Sequence, residues 1–490
     1  MIQDLSRTPL WDRFVVVSRL HNGKPAVVEA SSGESLSFGA LRESAEFLSD
    51  RLQALDVSAL AMIGEPTLAV LPVILAAARC GITFIPLADS EPDIRVVDCL
   101  RSLPVDSLVL SSRSLAEFKA DVFFSGVFPR FSAYRCRASS HETIVEVPYL
   151  VTHSSGSTGR PKPIALGQGT KIRRTEQSIA LFNVSHADTI LSASPFHHSL
   201  GQRHFFISLL TGATLIKAYP FRSESWFHAV RHYKPTFSIP VATHLKLLDR
   251  SLLSSPRLLD CFRCLVTSSA SAEPELKKRI LDSAKFEFWE IYGMTETACA
   301  TAIRCPSGVD TGHLGQAISG TKIRISGTEP VGEIEVKSDV LCDGYWGDSK
   351  RWKQAVTSDG YFKSGDLGKL DSSGNLLYLG RANESFQRAG LTIYPSEIES
   401  VVKEHPLVCE CVAVGVNDPI FENSVVLVVS TQISLNEREI SGFCRSRLPK
   451  YMWPTKIVKI NGFPLLSSGK IDRKWVDRFV DNLICSGVQN

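Results

Sequence analysis

The stretch Thr152–Lys162, THSSGSTGRPK, is the most informative part of this 490-residue chain. It follows an apolar segment, Val147–Val151, which is predicted to be a strand. Its glycines let the backbone bring N–H groups against phosphate oxygens, while the hydroxyl side chains add donors and Lys162 adds positive charge. The stretch therefore predicts a polyphosphate-binding loop. It is not a Walker A loop, because GxxxxGK[ST] is absent, and by composition alone a solvated Ser/Gly surface loop explains it equally well.

Composition limits the class of protein to which the chain can belong. Hydrophobic residues make up 44% and charged residues 21%, which is typical of globular chains and excludes a mainly disordered one. Lys and Arg number 54 against 51 Asp and Glu, so the net charge is only +3. We therefore expect no nucleic-acid partner and no polybasic membrane surface, although the balance is compatible with a local basic pocket for a phosphate compound.

Neither a membrane segment nor a disulfide framework is predicted. The longest uninterrupted apolar run, Leu68–Ala78, is far shorter than the roughly 20 residues of a spanning helix. The N-terminus lacks the apolar core of a secretory signal, so we expect a cytoplasmic protein without membrane insertion. Twelve cysteines are too few for a disulfide scaffold. The CxxC pair Cys261 and Cys264 is interpreted as reduced thiols rather than a metal site.

Strand and helix signals alternate from the N-terminus to about residue 300. Apolar residues recur at helical spacing over 35–55, and Leu68–Cys80 predicts a buried helix. Thr83–Pro86 and Val105–Leu110 read as short buried strands. This pattern is typical of α/β layers around mostly parallel sheets. From residue 321, short alternating segments broken by Gly and Asp predict antiparallel strands in a small barrel-like subdomain.

A further change of pattern after Gly380 predicts a separate C-terminal module. Ser396 is expected to be a helix N-cap, with Glu399 completing a capping box, and Ser434 with Glu437 repeats the device. The predicted fold class is α/β, with a large N-terminal domain of two α/β layers plus the barrel-like subdomain and a small, mobile α+β C-terminal domain. The predicted division is an N-terminal domain over 1–380, a hinge over 381–383 and a C-terminal domain over 384–490.

The order of residues in the glycine- and serine-rich stretch is more specific than its composition. It resembles the signature of the adenylate-forming superfamily, which covers acyl- and aryl-CoA synthetases, peptide-synthetase adenylation domains and luciferases. There the loop usually reads SGTTG or SGSTG followed by xPKG, and SSGSTGRPK fits through Lys162, with Pro163 replacing the usual glycine. The resemblance implies that the loop binds the phosphates of ATP through Ser154, Ser155, Gly156, Ser157, Thr158, Gly159 and Lys162.

Two downstream motifs occur in the order of that superfamily, namely IYGMTE at 291–296 and SGDL at 364–367. The resemblance implies that Tyr292 stacks on adenine, beside Gly293 in the same nucleotide-binding stretch. It implies that Thr295 contacts the α-phosphate and that Glu296 binds Mg²⁺, a hard cation that carboxylates suit. Asp366 would accept both ribose hydroxyls. Taken singly, these motifs also fit a helix start and a turn.

Two further motifs fall in the C-terminal part, GRANES through to PSEIE at 380–399 and LSSGKIDRK at 466–474. The resemblance implies that Arg381 belongs to the interdomain motif and that the Gly390 loop lines the path of a pantetheine thiol. It also implies that Lys470 contacts the acid carboxylate and the α-phosphate. Asn383 stands where the family usually has its hinge aspartate. Asparagine is isosteric with aspartate and tolerates unusual backbone angles, so rotation of the small domain is compatible with it.

Two cations that are frequent in the family are replaced in this chain. Gln387 stands for a lysine and Thr392 for an arginine, and Ser468 replaces the asparagine before the C-terminal Gly-Lys pair. These losses weaken phosphate or CoA contacts. They put the second half-reaction in more doubt than the first.

SPFHHSLG, at 194–201, matches the family segment that carries a histidine or aromatic gate, with His198 in that place. Amino-acid-activating relatives carry an aspartate there to pair with the α-ammonium, so histidine argues against an α-amino acid. The acid pocket is expected to include Ile239–His244, Thr267–Ala272 and Gly293–Met294, whose small or polar residues suit a small or medium acid. A metal site at His197, His198 and His204 is rejected, because no carboxylate or cysteine completes the set.

The resemblance therefore implies a ligase that uses ATP and Mg²⁺ to convert a carboxylic acid into an acyl-adenylate. CoA, or another phosphopantetheine thiol, would then accept the acyl group. Two alternatives stay open from the sequence. The acceptor could be an acyl-carrier protein, which would make the chain a stand-alone loading enzyme, or the chain could be a non-catalytic nucleotide-binding paralogue.

Overall fold

The computed structural model describes residues 9–55, 57–101, 105–115, 132–136, 147–154, 162–254, 256–268, 274–283, 286–305, 312–418, 420–431, 436–466 and 470–487. Two compact units are present, and each is described by itself. The first comprises Met1–Asp310, Ala317–Lys322 and Lys337–Phe362, and the second comprises Thr311–Gln316, Ile323–Val336 and Lys363–Asn490. The domain boundary after residue 380 and the hinge over 381–383 stay predictions.

The helices follow the predicted alternation with strands. They are α1 Pro9–Leu20, α2 Phe38–Gln53, α3 Pro72–Cys80, α4 Asp93–Arg101, α5 Gln168–Phe182, α6 Ser199–Thr211, α7 Ser223–Tyr233, α8 Ala242–Ser254, α9 Pro274–Ser283, α10 Ser349–Ala355, α11 Pro395–Lys403, α12 Glu437–Arg447 and α13 Arg473–Gly487. Short 3₁₀ turns occupy Pro256–Leu259 and Lys450–Met452.

The strands are short. They are β1 Pro25–Glu29, β2 Ser35–Ser37, β3 Ala59–Ile63, β4 Thr83–Leu87, β5 Ser107–Ser111, β6 Ser132–Cys136, β7 Leu150–Ser154, β8 Lys162–Leu166, β9 Thr189–Ser192, β10 Thr214–Lys217, β11 Phe237–Ser238, β12 Cys264–Thr267, β13 Glu287–Met294, β14 Ala298–Arg304, β15 Gln316–Ala317, β16 Thr321–Ile325, β17 Gly332–Ser338, β18 Gly344–Tyr345, β19 Phe362–Leu370, β20 Leu376–Arg381, β21 Phe386–Arg388, β22 Leu391–Ile393, β23 Val408–Asp418, β24 Glu422–Thr431 and β25 Lys456–Ile460.

Two large sheets form the first unit. One has nine strands in the order β15-β14-β13-β12-β11-β9-β10-β1-β2, and the other has seven in the order β18-β8-β7-β4-β3-β5-β6. The inner strands of both are mainly parallel. The predicted α/β fold class is confirmed, because the strands alternate with helices and parallel strands need crossovers, which these helices supply.

Strand β3 shows why its sequence is apolar throughout. Leu60 and Met62 face the largest core, whereas Ala61 and Ile63 face a second core that also contains residues of α4. Side chains alternate along a strand, so a strand covered by helices on both faces needs apolar residues at every position. The largest core joins residues of both sheets with residues of α1, α2, α3, α5 and α6, which places these helices between the sheets.

The second unit contains the predicted antiparallel segment as a four-stranded sheet in the order β16-β17-β19-β20. The C-terminal module follows, with the hairpin of β21 and β22 and a three-stranded sheet in the order β23-β24-β25. One face of the three-stranded sheet packs against α11 and α12, and the other packs against α13. The module is therefore the predicted α+β arrangement.

Both predicted capping boxes of the C-terminal module are wrong. The N-cap of α11 is Tyr394, because Pro395 takes the first helical position, and Ser396 instead donates its hydroxyl to the Leu379 carbonyl. The box at α12 uses Asn436 with Glu439, since that helix begins later than its sequence suggested. The predicted N-cap Ser434 lies outside the described residues.

Other local predictions agree with the structure to within a few residues. The helix predicted over 35–55 is α2, which Ser37 caps by accepting a hydrogen bond from the Ala40 amide. The strand predicted at Val147–Val151 begins later, at Leu150, and continues to Ser154. Among the described residues, no helix combines the length and the apolar character needed to cross a membrane.

Candidate active site

Two paired strands hold the ends of the predicted phosphate loop. Strands β7 and β8 are antiparallel, and Ser154 pairs with Lys162 at the point where the loop leaves the sheet. The loop thus leaves and rejoins the sheet at the same end of two paired inner strands. The predicted phosphate-binding residues Ser155, Gly156, Ser157, Thr158 and Gly159 lie outside the described residues, as does the Ser154 side chain.

Lys162, Glu296 and Tyr345 form a cluster beside the loop. The Lys162 ammonium lies 3.8 Å from Oε1 of Glu296 and 5.5 Å from the centre of the Tyr345 ring. The Tyr345 hydroxyl donates a hydrogen bond of 3.1 Å to the same carboxylate oxygen. Burial raises the pKa of Tyr345 and the charge of Glu296 raises it further, so the phenol stays protonated and acts as a donor. The structure therefore joins two predicted site residues that are 134 positions apart.

Tyr345 was missed by the sequence reasoning. Strand β18 pairs with β8, with Tyr345 opposite Ile164, and this places its ring next to Lys162. Its edge also meets the Trp352 ring, at 5.4 Å between centres. Nothing local in the sequence indicated a site residue here, because only the addition of β18 to the distant β7–β8 pair brings the ring to Glu296.

Arg174, on α5, holds the backbone of the predicted Mg²⁺-binding segment. Its guanidinium donates to three carbonyl oxygens, those of Val340 at 2.8 Å, Thr295 at 2.8 Å and Glu296 at 2.6 Å. The side chain is buried, and burial lowers its pKa to about 10. The planar guanidinium of arginine can donate hydrogen bonds to several acceptors at once, whereas the ammonium of a lysine does so less well. Arg174 is thus a positioning residue for Thr295 and Glu296.

A tight hairpin gives this segment its shape. Strands β13 and β14 pair across a register shift between Tyr292 and Gly293, and Ala298 has a positive φ of 59°. A Cβ atom on Gly293 would lie 1.8 Å from the Ala298 carbonyl oxygen, so only glycine fits. The Thr297 hydroxyl accepts from the Met294 amide. Thr295 and Glu296 therefore lie at a turn rather than at the helix start that YGxTE alone suggested.

His198 lies at the N-cap of α6, and its amide donates to the Pro195 carbonyl. Its ring meets that of His197 at 4.4 Å between centres. Burial lowers the pKa of His197 to about 3, and the charge of His198 lowers it as well. A Cβ atom on Gly201 would lie 2.2 Å from the Pro195 carbonyl oxygen, so glycine allows the helix to start against this backbone.

His204 is a buried structural residue. Its Nε2 accepts a hydrogen bond from the Ile239 amide, so Nδ1 carries the proton that is shared with the Ser192 hydroxyl at 3.1 Å. Both ring nitrogens are thus engaged with the protein. His244 stacks on Phe221 at 3.9 Å, as a core or pocket residue would. In the described part of the chain, no cluster of His, Cys, Asp or Glu has the composition of a metal site.

In the second unit, the structure brings Asp366 and Arg381 together. These residues lie opposite each other in the antiparallel pair of β19 and β20, and Nε of Arg381 lies 3.0 Å from Oδ1 of Asp366. The Asp366 side chain is buried. Ser364 supports the turn by accepting from the Asp366 amide at 3.0 Å. Asp366 and Arg381, which belong to two different motifs, thus form one charged pair.

Lys470 lies in the same unit, close enough to this pair to interact with it electrostatically. Desolvation lowers the pKa of Lys470 and the charge of Arg381 lowers it further, whereas Asp366 and Glu384 oppose this. Although surrounding protein desolvates the ammonium, its side chain still reaches solvent. The amide of Leu466 donates to the Lys470 carbonyl at 2.7 Å.

Arg473, at the start of α13, ties the C-terminal motif to the module. Its guanidinium lies 2.6 Å from Oε2 of Glu399 and 3.4 Å from Oε2 of Glu384. The other Glu399 oxygen accepts from the Ala413 amide at 2.9 Å. Glu399 therefore anchors three segments of the module instead of capping α11.

The predicted hinge and pantetheine loop lie on turns. Asn383 is exposed in the turn after β20. Ala389 and Gly390 have φ of 51° and 76° between β21 and β22, which is the two-residue turn that matches the twist of a hairpin. Gln387 donates to the Thr392 hydroxyl at 2.8 Å, so the two residues that replace the family's cations form a neutral pair.

Comparisons with known proteins identify the family. The model of the AMP-binding enzyme family matches residues 16–346, and that of the AMP-binding enzyme C-terminal domain matches residues 397–470. The chain belongs to the AMP-binding enzyme family. The resemblance to adenylate-forming enzymes is thereby confirmed.

Relatives of this AMP-binding enzyme include the indoleacetate–CoA ligase of Aromatoleum aromaticum, which is 28% identical over 91% of this chain and 93% of the relative. The malonate–CoA ligase of Arabidopsis thaliana is 24% identical over 95% and 88%. Among solved structures, ATP-bound MatB from Rhodopseudomonas palustris has a TM-score of 0.82 at 21% identity, over 96% of this chain and 99% of that one. The o-succinylbenzoate CoA synthetase of Bacillus subtilis, with its acyl-adenylate, has 0.80 at 22%, over 96% and 98%.

Proposed function

We propose that this AMP-binding enzyme is an acid–thiol ligase that activates a carboxylic acid with ATP and passes the acyl group to CoA. The observation that carries the proposal is the meeting of Lys162, Glu296 and Tyr345 at the mouth of the β7–β8 loop. An ammonium beside a carboxylate is the arrangement needed to neutralise phosphate oxygens and hold a hard cation. The relatives' names support the class of reaction, and their acids differ, since indoleacetate has one carboxylate and malonate two.

Adenylation requires the acid to attack the α-phosphorus of ATP. A carboxylate oxygen forms the new bond to the α-phosphorus while the bond to the bridging oxygen of pyrophosphate breaks. Lys162 would hold the β- and γ-phosphates, Thr295 would donate to the α-phosphate, and Lys470 would neutralise the attacking carboxylate. Positioning and electrostatics account for most of the acceleration in such phosphoryl-group substitutions.

The carboxylate of Glu296 fits a magnesium ion, because Mg²⁺ binds through one or two carboxylates together with substrate phosphates. The donor set agrees with this. Oε1 is engaged by Tyr345 and lies near Lys162, and the backbone is held by Arg174. When bound, the ion would withdraw charge from the phosphates. Tyr345 and Arg174 fix the direction of the carboxylate.

Transfer follows when a pantetheine thiol attacks the acyl carbonyl. The carbon–sulfur bond forms, the thiol loses its proton, and AMP leaves with the oxygen that joined it to the acyl group. His198 would lie beside the acyl group, and Asn383 would permit the turn of the C-terminal module between the two steps. Among the described cysteines none forms a disulfide, which supports a cytoplasmic setting.

An acyl-carrier protein is the second candidate acceptor. It is favoured by one observation, the neutral Gln387–Thr392 pair, because a pair without charge offers no attraction to the phosphates of CoA. Release of AMP with CoA, measured against release with a holo-carrier, separates the two acceptors.

The proposal is tested by acid-dependent exchange of pyrophosphate into ATP, with and without Mg²⁺. The panel holds short and medium aliphatic, hydroxy, aryl and α-amino acids. We expect exchange with a non-amino acid that requires Mg²⁺. Exchange with none of the acids, in a protein that still binds ATP, would favour a non-catalytic nucleotide binder and contradict the proposal.

Glu296→Gln is expected to lower the exchange rate by about 10- to 100-fold and to raise the Mg²⁺ concentration needed for half-maximal rate. Glutamine preserves an acceptor for Tyr345 but removes the charge that attracts the cation. The measurement is a Mg²⁺ titration of the exchange rate. Glu34→Gln, which changes an exposed glutamate, serves as the matched control. An unchanged Mg²⁺ dependence in Glu296→Gln would show that this carboxylate does not hold the ion.

A further inference from the structure

A cavity in the first unit is lined by basic side chains. It lies between α5, α6 and the hairpin of β13 and β14, and the space that it encloses is about 20 Å³, enough for one small polar group. The residues on which the argument depends are Lys171, Arg174, Gln202, Arg203, Met294 and Ala298. Most ligand cavities are mainly apolar with a few polar groups, so three basic side chains in one small cavity need an explanation.

The charge of Arg203 is not compensated by any carboxylate in the described part of the chain. Its Nη1 atom is buried and has no hydrogen-bond partner among the described residues. No carboxylate of the described chain forms an ion pair with its guanidinium, and burial lowers its pKa. Burying a charge without a partner is costly, so a buried polar atom without a partner requires an explanation, and a bound anion is one.

Lys171 adds a second basic side chain. It is only 5% exposed, and its Nζ donates to Oε1 of Gln202 at 3.2 Å and lies 4.5 Å from the centre of the Phe206 ring. Burial lowers its pKa well below the ordinary value, and the charges of Arg174 and Arg203 lower it further, so these surroundings disfavour its charged form. An anion in the cavity would favour the ammonium, which an amide and an aromatic ring stabilise only partly.

The cavity adjoins the proposed reaction centre. Met294 and Ala298, which line it, stand on either side of Thr295 and Glu296 in the hairpin. Ser199, on the α6 side, directly follows His198. An acid whose reacting carboxylate lies near Thr295 would thus extend its other end towards Arg203.

We infer that this cavity binds a second anionic group on the acid, so that the substrate class is a dicarboxylic acid. The inference rests on the proposed function. A distal carboxylate would accept two parallel hydrogen bonds from the Arg203 guanidinium and would supply the charge that the cavity lacks. A monocarboxylic acid of the same length would place an apolar end against the unpaired guanidinium, which gives selectivity.

The test compares acids of equal length, succinate with butyrate and glutarate with valerate, in pyrophosphate exchange. For the native enzyme we expect kcat/KM to be at least about 10-fold higher for the diacids. Arg203→Met should lower kcat/KM for the diacids by about 10- to 100-fold, the range of one or two charge-assisted hydrogen bonds, and leave the monoacids unchanged or improved. Arg173→Met, which changes the exposed arginine beside Arg174, is the control.

Thermal stability separates binding from a structural role. Because the Nη1 atom of Arg203 is buried without a hydrogen-bond partner among the described residues, Arg203→Met should raise the Tm of the free enzyme and should reduce the further rise that succinate or glutarate produces. A lower Tm together with equal losses for both acid classes would overturn the inference and make Arg203 a structural residue. Equal kcat/KM for mono- and diacids in the native enzyme would overturn it as well.

The same assays distinguish two anions that could occupy the cavity, a carboxylate of the acid and a phosphate of CoA. Exchange proceeds without CoA, so a defect of Arg203→Met that appears only in KM for CoA would assign the cavity to a phosphate of the acceptor and overturn the inference. If no acid supports exchange, the proposed function fails, and titration calorimetry with succinate and butyrate decides the cavity separately. Succinate binding that Arg203→Met weakens would support it, and absence of binding would overturn it.

Discussion

Lys470→Ala is expected to abolish acid-dependent pyrophosphate exchange, with a loss of at least about 100-fold, while ATP still binds. The lysine lies near Asp366 and Arg381, the pair that the resemblance assigns to ribose binding and the interdomain motif. Its ammonium would neutralise the negative charges that meet when a carboxylate approaches the α-phosphate. Alanine removes that charge and keeps the hydrogen bond from the Leu466 amide, because the carbonyl that accepts it belongs to the main chain.

The measurement pairs exchange kinetics with an ATP binding assay. Lys474→Ala, which removes an exposed lysine four positions later, is the control and should keep the native rate. If a synthetic acyl-adenylate is supplied with CoA, thioester formation by Lys470→Ala should be close to native, because the α-phosphate bond is already made. Exchange at the native rate in Lys470→Ala would remove this residue from adenylation and contradict the assignment.

Arg174→Met is expected to destabilise the enzyme and to slow exchange by more than the loss of folded protein explains. The change breaks three charge-assisted hydrogen bonds and leaves the carbonyls of Thr295, Glu296 and Val340 without their donor. Unmet buried acceptors cost about 1–3 kcal/mol each, so three of them give an expected loss of about 3–9 kcal/mol in unfolding free energy. For a chain of 490 residues, whose entropy of unfolding is about 1 kcal/mol/K, that corresponds to a fall in Tm of roughly 3–9 °C.

The activity effect follows from position rather than charge. Without Arg174, the turn that presents Glu296 is released from α5, so the Mg²⁺ dependence of exchange should shift in the same direction as in Glu296→Gln. Arg174→Lys keeps the positive charge but lacks the fork, and should restore only a small part of the activity and Tm. Arg173→Met is the neighbouring control. Full recovery in Arg174→Lys would mean that charge, and not the guanidinium geometry, holds the segment.

The Arg174 prediction rests on a link between packing and chemistry. Helix α5 contributes to the core between the two large sheets through Ile172 and Phe182. From that rigid position, Arg174 reaches the backbone of the β13–β14 turn. Strand β18 brings Tyr345 to the other side of Glu296. The carboxylate is thus oriented by two elements whose positions are determined by the core.

Local patterns in the sequence predicted local structure well. The helix over 35–55 and the buried strands after it depend on the spacing of apolar residues, which the neighbouring chain alone supplies. The capping boxes failed for the opposite reason. Ser396 and Glu399 fit the motif, yet their side chains find the Leu379 carbonyl, the Ala413 amide and Arg473, partners that lie far away in sequence.

The sequence by itself determined the order of the motifs, because each motif is a short continuous stretch, and their resemblance to the adenylate-forming superfamily indicated the reaction class. Only the tertiary structure decided which residues support them. Arg174 lies 122 positions from Glu296 and Tyr345 lies 49 positions away, and neither belongs to a motif. The sequence does not show that Arg203 lines the cavity between α5, α6 and the β13–β14 hairpin. A cation without a partner is costly only where it is buried, and burial depends on how these elements pack.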